Sequence, residues 1–277
     1  MTKPIILYHA KCPDGIASAW AAWKKLGTSA EYQPVQYGEQ PPDVTGRDVY
    51  IVDFSFPRQV LLDMAEKANR VTLLDHHKTA EADLKDLEHP KLEIHFDMNK
   101  SGATLTWGHF FGGEPCWLVQ YAEDRDLWRH ALPGSKEVNA YLQALPHDFG
   151  TLSQVFEKGL EAAKEAGIGC LTWVRYYVDS TKKLSYQARF LGYDSIPVVN
   201  APYTAISEVV GELSEGHPFA MGWHVREDGK IVYSLRSRGD FDVSALAKTC
   251  GGGGHKNAAG FTLDLFPWNL TESAVGP

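Results

Sequence analysis

Short apolar runs alternate along the first half of the chain with stretches whose apolar residues recur every three or four positions. Ile5-Ile6-Leu7-Tyr8, Val49-Tyr50-Ile51-Val52 and Val71-Thr72-Leu73-Leu74 read as strands. Between them, residues 15–26 are rich in Ala and Trp, and residues 57–68 carry Val60, Leu61, Met64 and Ala68 at helical spacing. Strand and helix in alternation predict a parallel sheet with crossover helices on one or both faces. Residues 103–111 and 115–122 read as further helix. From 152 to 191 the pattern is helical with few breakers, apart from Gly159 and Gly167-Ile168-Gly169. After Gly192 the character turns to β at 196–200, 219–223 and 231–235, with Glu227-Asp228-Gly229-Lys230 as a hairpin turn between the last two. Residues 243–248 predict a short helix, residues 251–254 no regular structure, and residues 258–261 a strand. The expected architecture is α/β: a parallel-sheet domain over 1–150, helical linking segments over 151–192, and a smaller mixed α/β domain over 193–277.

The predicted strands end on unusual residues. The first stops at His9, the second at Asp53, and the third at Asp75-His76-His77. In open α/β sheets ligands bind at the carboxyl ends of the strands, so three strands ending in His or Asp point to a polynuclear metal site. Asp and His without clustered thiolates suit Mn²⁺ or Mg²⁺, with Zn²⁺ and Co²⁺ also compatible. A carboxylate such as Asp53, between other ligand groups, can bridge two ions. Two ions so held can activate a water and clamp a phosphate. His76 and His77 point different ways on a loop, so one can bind metal while the other reaches the phosphate. The turn His9-Ala10-Lys11-Cys12-Pro13-Asp14-Gly15 lets His9 and Asp14 face one crevice. Asp124 and Asp126 follow an amphipathic stretch, and one of them could complete the metal shell. Near the C-terminus, Gly251-Gly252-Gly253-Gly254-His255 suits close approach of backbone N–H groups to an anion. His255 supplies a further donor there, and Arg236 and Arg238 lie on the preceding strand.

Composition narrows the partners. The formal net charge of -8 argues against attraction to duplex DNA or an anionic membrane. Residues 224–256 depart from this balance, with six Lys or Arg against four acids. An acidic body with one basic segment suits a small anionic substrate. No apolar stretch approaches the roughly 20 residues of a membrane span, and Met1-Thr2-Lys3-Pro4 leads straight into the first strand, so no signal peptide is expected. Cys12, Cys116, Cys170 and Cys250 are scattered, which argues against a disulfide framework and fits a cytoplasmic location. A homodimer is compatible with the sequence.

These pieces, in this order, resemble the DHH phosphoesterase family, named for the tripeptide seen here as Asp75-His76-His77. The stretch from Ser234-Leu235-Arg236-Ser237 through Gly251-Gly252-Gly253-Gly254-His255 to Ala258-Ala259-Gly260-Phe261 resembles the DHH-associated C-terminal domain. The Tyr8-His9-x-x-Cys12-x-Asp14-Gly15 opening and the Asp124-Arg125-Asp126-Leu127-Trp128 run are most similar to oligoribonuclease and cyclic-nucleotide phosphodiesterase members. The resemblance implies a two-metal centre, usually Mn²⁺, in the cleft between the domains. His9 would bind one ion, Asp14 the other, and Asp53 both. His76 and Asp124 would complete the second ion, Asp75 would be a ligand or support one, and His77 would contact the scissile phosphate. Arg236, Arg238, Gly252, Gly253, Gly254 and His255 would hold the terminal nucleotide or phosphate. One position departs from the family, whose first motif usually carries two aspartates; Cys12 replaces the first of them. A thiolate there is softer and favours Zn²⁺, and if Cys12 does not ligate the shell is more open. The expected activity is a hydrolase that removes 5′-mononucleotides from the 3′ end of short single-stranded RNA. The alternatives are hydrolysis of cyclic mono- or dinucleotides, or of polyphosphate or pyrophosphate.

Overall fold

The three apolar runs form the middle of a parallel sheet. A computed structural model describes residues 2–10, 12–264 and 266. Among these, β1 (Ile5–His9), β2 (Glu31–Val35), β3 (Asp48–Val52), β4 (Arg70–Asp75) and β5 (Leu92–Phe96) lie in the order β2-β1-β3-β4-β5, every neighbouring pair parallel. The crossovers and following helices are α1 (Pro13–Leu26), α2 (Arg58–Lys67), α3 (Lys78–Leu84) and α4 (Gly102–Phe111).

The central strands are apolar at consecutive positions because both faces of the sheet are covered. Ile5, Leu7, Val49, Ile51, Val71 and Leu73 pack with Leu61, Met64 and Ala65 of α2. The alternate positions Ile6, Val52 and Leu74 meet Ala22 of α1 and Leu105 and Phe110 of α4 on the other face. The two edge strands were not legible as strands. β2 carries Pro34, which removes a backbone donor and suits an edge, and β5 interleaves Glu93 and His95 with its apolar residues.

Over α1 lie α5 (Trp117–Asp126), α6 (Ser135–Ala144) and α7 (Phe149–Lys158). Ile16, Ala17 and Trp20 pack with Leu118, Val119 and Leu152. Trp20 is fully buried, and its indole N–H donates to Ser153 Oγ at 2.9 Å. Next comes α8 (Leu160–Lys182), and the chain divides within it into two compact units, Met1–Leu171 and Thr172–Pro277.

The second unit holds β6 (Tyr186–Phe190), β7 (Tyr193–Asn200), α9 (Ile206–Leu213), β8 (Phe219–Val225), β9 (Ile231–Ser237), α10 (Val243–Thr249), β10 (Gly253–His255) and β11 (Ala258–Leu263). Its sheet runs β10-β11-β9-β8-β7-β6, with β7 and β8 parallel and the other pairs antiparallel. Phe190, Val198, Phe219 and Tyr233 pack with Val243 and Ala247 of α10. On the opposite face, Val199 and Ala220 pack with Val209 and Val210 of α9 and Val178 of α8.

Two local expectations are corrected here. The helical pattern expected to reach residue 191 stops at Lys182, and 186–190 is a strand. The reversal into β7 uses Leu191 (φ 45) and Gly192 (φ 81), two consecutive positive φ values of the kind that close a tight hairpin. The glycine tract is also partly regular, since Gly253 and Gly254 pair with Gly260 and Ala259 of β11. Replacing Trp20 by Ala is expected to cost about 3–5 kcal/mol, read as a lower denaturation midpoint at unchanged m-value; a change within error would show that the helical layer over α1 adds little.

Candidate metal centre

The strand order reverses direction between β1 and β3, the topological switch point at whose carboxyl ends open α/β sheets bind ligands. His9 is the last residue of β1, Asp53 follows β3, and Asp75 ends β4 with His76 and His77 directly after it. Asp14 lies in the first turn of α1, immediately beyond β1. One edge of one sheet therefore receives all six side chains.

Their donor atoms form two groups that share Asp53: His9, Asp53 and His77, and Asp14, Asp53 and His76. Within each group one ligand atom per residue lies within 4.8 Å of the others. His76 Nε2 is 3.1 Å from Asp53 Oδ1 and 3.7 Å from Asp14 Oδ2, while His9 Nδ1 is 3.6 Å from Asp53 Oδ2. Asp53 has φ 53, a left-handed conformation that costs a non-glycine residue energy, of the sort that collects at functional sites. Its N–H donates to Leu74 O at 3.0 Å, which ties this backbone to β4.

Asp75 has a different part. It is fully buried, and its Oδ1 lies 2.6 Å from His77 Nδ1 while accepting from the His76 N–H at 2.8 Å. A carboxylate on Nδ1 orients the ring and leaves Nε2 as the outward nitrogen. The aspartate pair after α5 is sorted by the structure. Asp126 Oδ2 is 3.4 Å from His76 Nε2. Asp124, the one expected among the ligands, instead accepts from the N–H groups of Ala131 (2.9 Å) and Leu132 (3.3 Å) and so holds the turn after the helix. Two-residue spacing at a helix end points the carboxylates apart, and spacing alone cannot say which faces the crevice.

The N-terminus of α4 is the part that sequence reasoning missed. Ser101 caps the helix by accepting from Thr104 N–H, and the Ala103 N–H lies 3.3 Å from both Asp14 oxygens. Gly102 lets the turn come this close: a Cβ there would sit 2.5 Å from Asp53 Cβ and 2.9 Å from Asp14 Oδ2. The positive end of a helix thus meets buried carboxylates. Ser101-Gly102 ahead of the apolar run was the available signal.

The electrostatics call for a cation. Burial, with Asp53 and Asp126 nearby, holds Asp14 well above the usual carboxylate range, and burial also raises Asp126. Burial would raise Asp53 as well, but the approach of His76 and His9 holds it well below that range. Burial alone would lower His76; Asp53, then Asp126 and Asp14, push it to about 10. His77 is raised by Asp75 against the opposing effect of burial. Burial and the same three carboxylates push the Cys12 thiol up, so it is protonated unless a cation lies beside it. Asp53 Oδ2, His9 Nδ1 and Asp126 Oδ2 are buried with no hydrogen-bond partner among the described residues. Buried carboxylates that must borrow protons from neighbouring imidazoles, with donor atoms left over, fit divalent metal. His9, Asp14, Asp53, His76, His77 and Asp126 are the residues that could hold it.

In the second unit the register places His255, Ala258 and Arg236 in one cross-strand row. Arg236 donates to Ser207 Oγ at 2.7 Å, and Arg238 donates to Gly211 O at 3.0 Å, so both arginines reach α9. Gly251 (φ 76) and Gly252 close the end of α10, their N–H groups donating to Lys248 O and Ala247 O. A Cβ on Gly252 would meet Gly260 O at 2.0 Å. Part of the tract is therefore glycine because β11 passes so near.

Residues 196–274 match the DHHA1 domain. Uncharacterized protein R106 of Acanthamoeba polyphaga mimivirus is 28% identical over 287 residues, spanning 94% of this chain and 67% of its own. The pGpG-specific phosphodiesterase PggH from Vibrio cholerae superposes with a TM-score of 0.51 at 13% identity, over 95% of this chain and 93% of its own. RecJ from Thermus thermophilus, in complex with Mn²⁺, gives 0.50 at 16% identity, over 95% of this chain and 50% of its own. By sequence the chain matches the DHHA1 domain over residues 196–274, and by fold it is similar to PggH and to RecJ. Among the described residues no helix is long and apolar enough to cross a membrane.

Two outcomes follow. In metal-free protein the folded His76, at about 10 against 6.5 unfolded, binds a proton that the unfolded chain has lost. Its stabilisation is complete below pH 6.5 and disappears as pH rises towards 10. Thermal melts with chelator should therefore fall across that window, and a flat profile would remove the charged His76. Gly102→Ala should lower Mn²⁺ affinity by at least roughly tenfold with an unchanged far-ultraviolet spectrum. Gly108→Ala on the same helix, where a Cβ meets nothing within 4 Å, should bind as wild type does.

Proposed function

We propose that the protein is a metal-dependent phosphodiesterase that releases 5′-mononucleotides from the 3′ end of short oligoribonucleotides. The observation that carries this reading is the pair of donor groups joined through Asp53. Two cations bound there would supply an activated water and neutralise charge building on the phosphate. Mn²⁺ is the favoured ion, since the donors are carboxylates and imidazoles and RecJ, of the same fold, is described with Mn²⁺.

The chain's own residues have assignable parts. Asp53 links the two groups and is fixed by its backbone bond to β4. Asp75 holds His77 by Nδ1, so Nε2 presents to metal or to a phosphate oxygen. Asp14 is steadied by the first turn of α4, and Asp126 takes the place expected of Asp124. In the C-terminal unit, Arg236, Arg238, His255 and the glycine backbone of 252–254 are proposed to bind the terminal nucleotide or its phosphate. The acidic charge of the chain favours short substrates, because a long strand needs an extended basic groove. PggH, a phosphodiesterase of the same fold, is specific for pGpG, which supports a dinucleotide-sized substrate and keeps dinucleotides made from cyclic ones as the second reading.

The test is a Mn²⁺-supplemented assay of a di- to pentanucleotide RNA ladder beside cyclic AMP, pyrophosphate and polyphosphate. The expected product is mononucleotide, and Asp53→Ala should lower the rate by at least roughly a hundredfold. Release of inorganic phosphate from polyphosphate in place of mononucleotide would replace this reading. Near-normal turnover by Asp53→Ala would remove the bridging role.

A further inference from the structure

Beyond the donor groups, the crevice edge carries an aromatic ring to which no part of the proposed chemistry gives work. Tyr37 follows β2, and its ring centroid lies 4.6 Å from Phe54, 5.4 Å from His9 and 6.5 Å from His77. It meets both histidines edge-on, at 77° and 82°. Phe54 packs in turn on Phe56 at 5.0 Å, and both phenylalanines are buried. Tyr37 is 54% exposed. A half-exposed ring, whose hydroxyl is pushed above the usual phenol range by burial and by Asp75 and Asp53, is thus backed by an aromatic column and set beside two imidazoles of the metal centre.

We propose that Tyr37 is the stacking platform for the base of the nucleotide whose phosphate is bound at this centre, an inference that rests on the phosphodiesterase reading. A base joined through its ribose to a phosphate at His9 and His77 must lie next to that phosphate, and among the described residues Tyr37 is an exposed ring that lies beside both. An aromatic face binds every base, because every base has a π-face. Tyr37 therefore selects nucleotides over inorganic phosphates without choosing among bases. The ring and not the hydroxyl provides the contact, so phenylalanine should serve equally well.

The test compares wild type, Tyr37→Ala and Tyr37→Phe, each loaded with Mn²⁺, for binding of adenosine 5′-monophosphate and of inorganic phosphate by calorimetry. The expected result is that Tyr37→Ala weakens the nucleotide by about tenfold, within the range of one base–aromatic stack, and leaves inorganic phosphate unchanged. Tyr37→Phe should leave both unchanged. Equal weakening of both ligands in Tyr37→Ala would show that the ring only braces His9, and unchanged binding of both would show that it contacts neither; either overturns the proposal. Wild-type protein that binds phosphate with no preference for the nucleotide overturns it too, while the phosphoesterase reading survives. Wild-type protein that binds neither ligand overturns both.

Discussion

Asp53 is held in a backbone conformation that its residue type disfavours, and the rest of the centre depends on that placement. With φ 53 the chain turns sharply off the end of β3, and the carboxylate is directed into the crevice between His9 and His76. The N–H bond to Leu74 O and the close approach of Gly102 brace this geometry from two sides. Strain of this kind persists only when its surroundings over-determine it. Here they are a sheet buried on both faces and a helix start that only glycine permits.

The charge arrangement has the same origin. Buried carboxylates are costly unless paired, and around Asp53 one oxygen each of Asp53, Asp75 and Asp126 is buried with no hydrogen-bond partner among the described residues. Without metal, protons on His76 and on Asp14 relieve the repulsion. A cation would take over that task and leave the imidazoles neutral as ligands. An ion held by these residues would offset the burial of its ligands as well as supply Lewis acidity to a bound water. Asp75 stands slightly apart. One of its two oxygens, Oδ1, shared by the His76 N–H and the His77 ring, keeps the two histidines in fixed and different directions.

The second unit solves another packing problem. β11 lies so close to the end of α10 that side chains are excluded at Gly252, and the helix ends through a left-handed glycine at 251. The tract therefore has a structural reason as well as the anion-binding one read from sequence. Arg236 and Arg238 likewise support α9 through Ser207 and Gly211. Any part they take in substrate binding is exercised from these anchored positions.

Apolar runs of four residues ending on His or Asp were enough to place β1, β3 and β4 and to bring His9, Asp53, Asp75, His76 and His77 to one sheet edge. Local sequence determines this because a strand buried on both faces must be apolar throughout, so the first polar residues mark its end. Edge strands carry no such mark, and β2 with its Pro34 and β5 with its Glu93 and His95 became strands only by pairing with a neighbour. Tertiary packing also sets Asp126 beside His76 and Asp124 against the turn that follows, since a helix end can turn either carboxylate inward. Gly102 and Tyr37 matter through atoms distant in sequence, 49 positions on from Asp53 for the first and 28 on from His9 for the second. Contacts of that range are made by folding and leave no periodic trace in the chain.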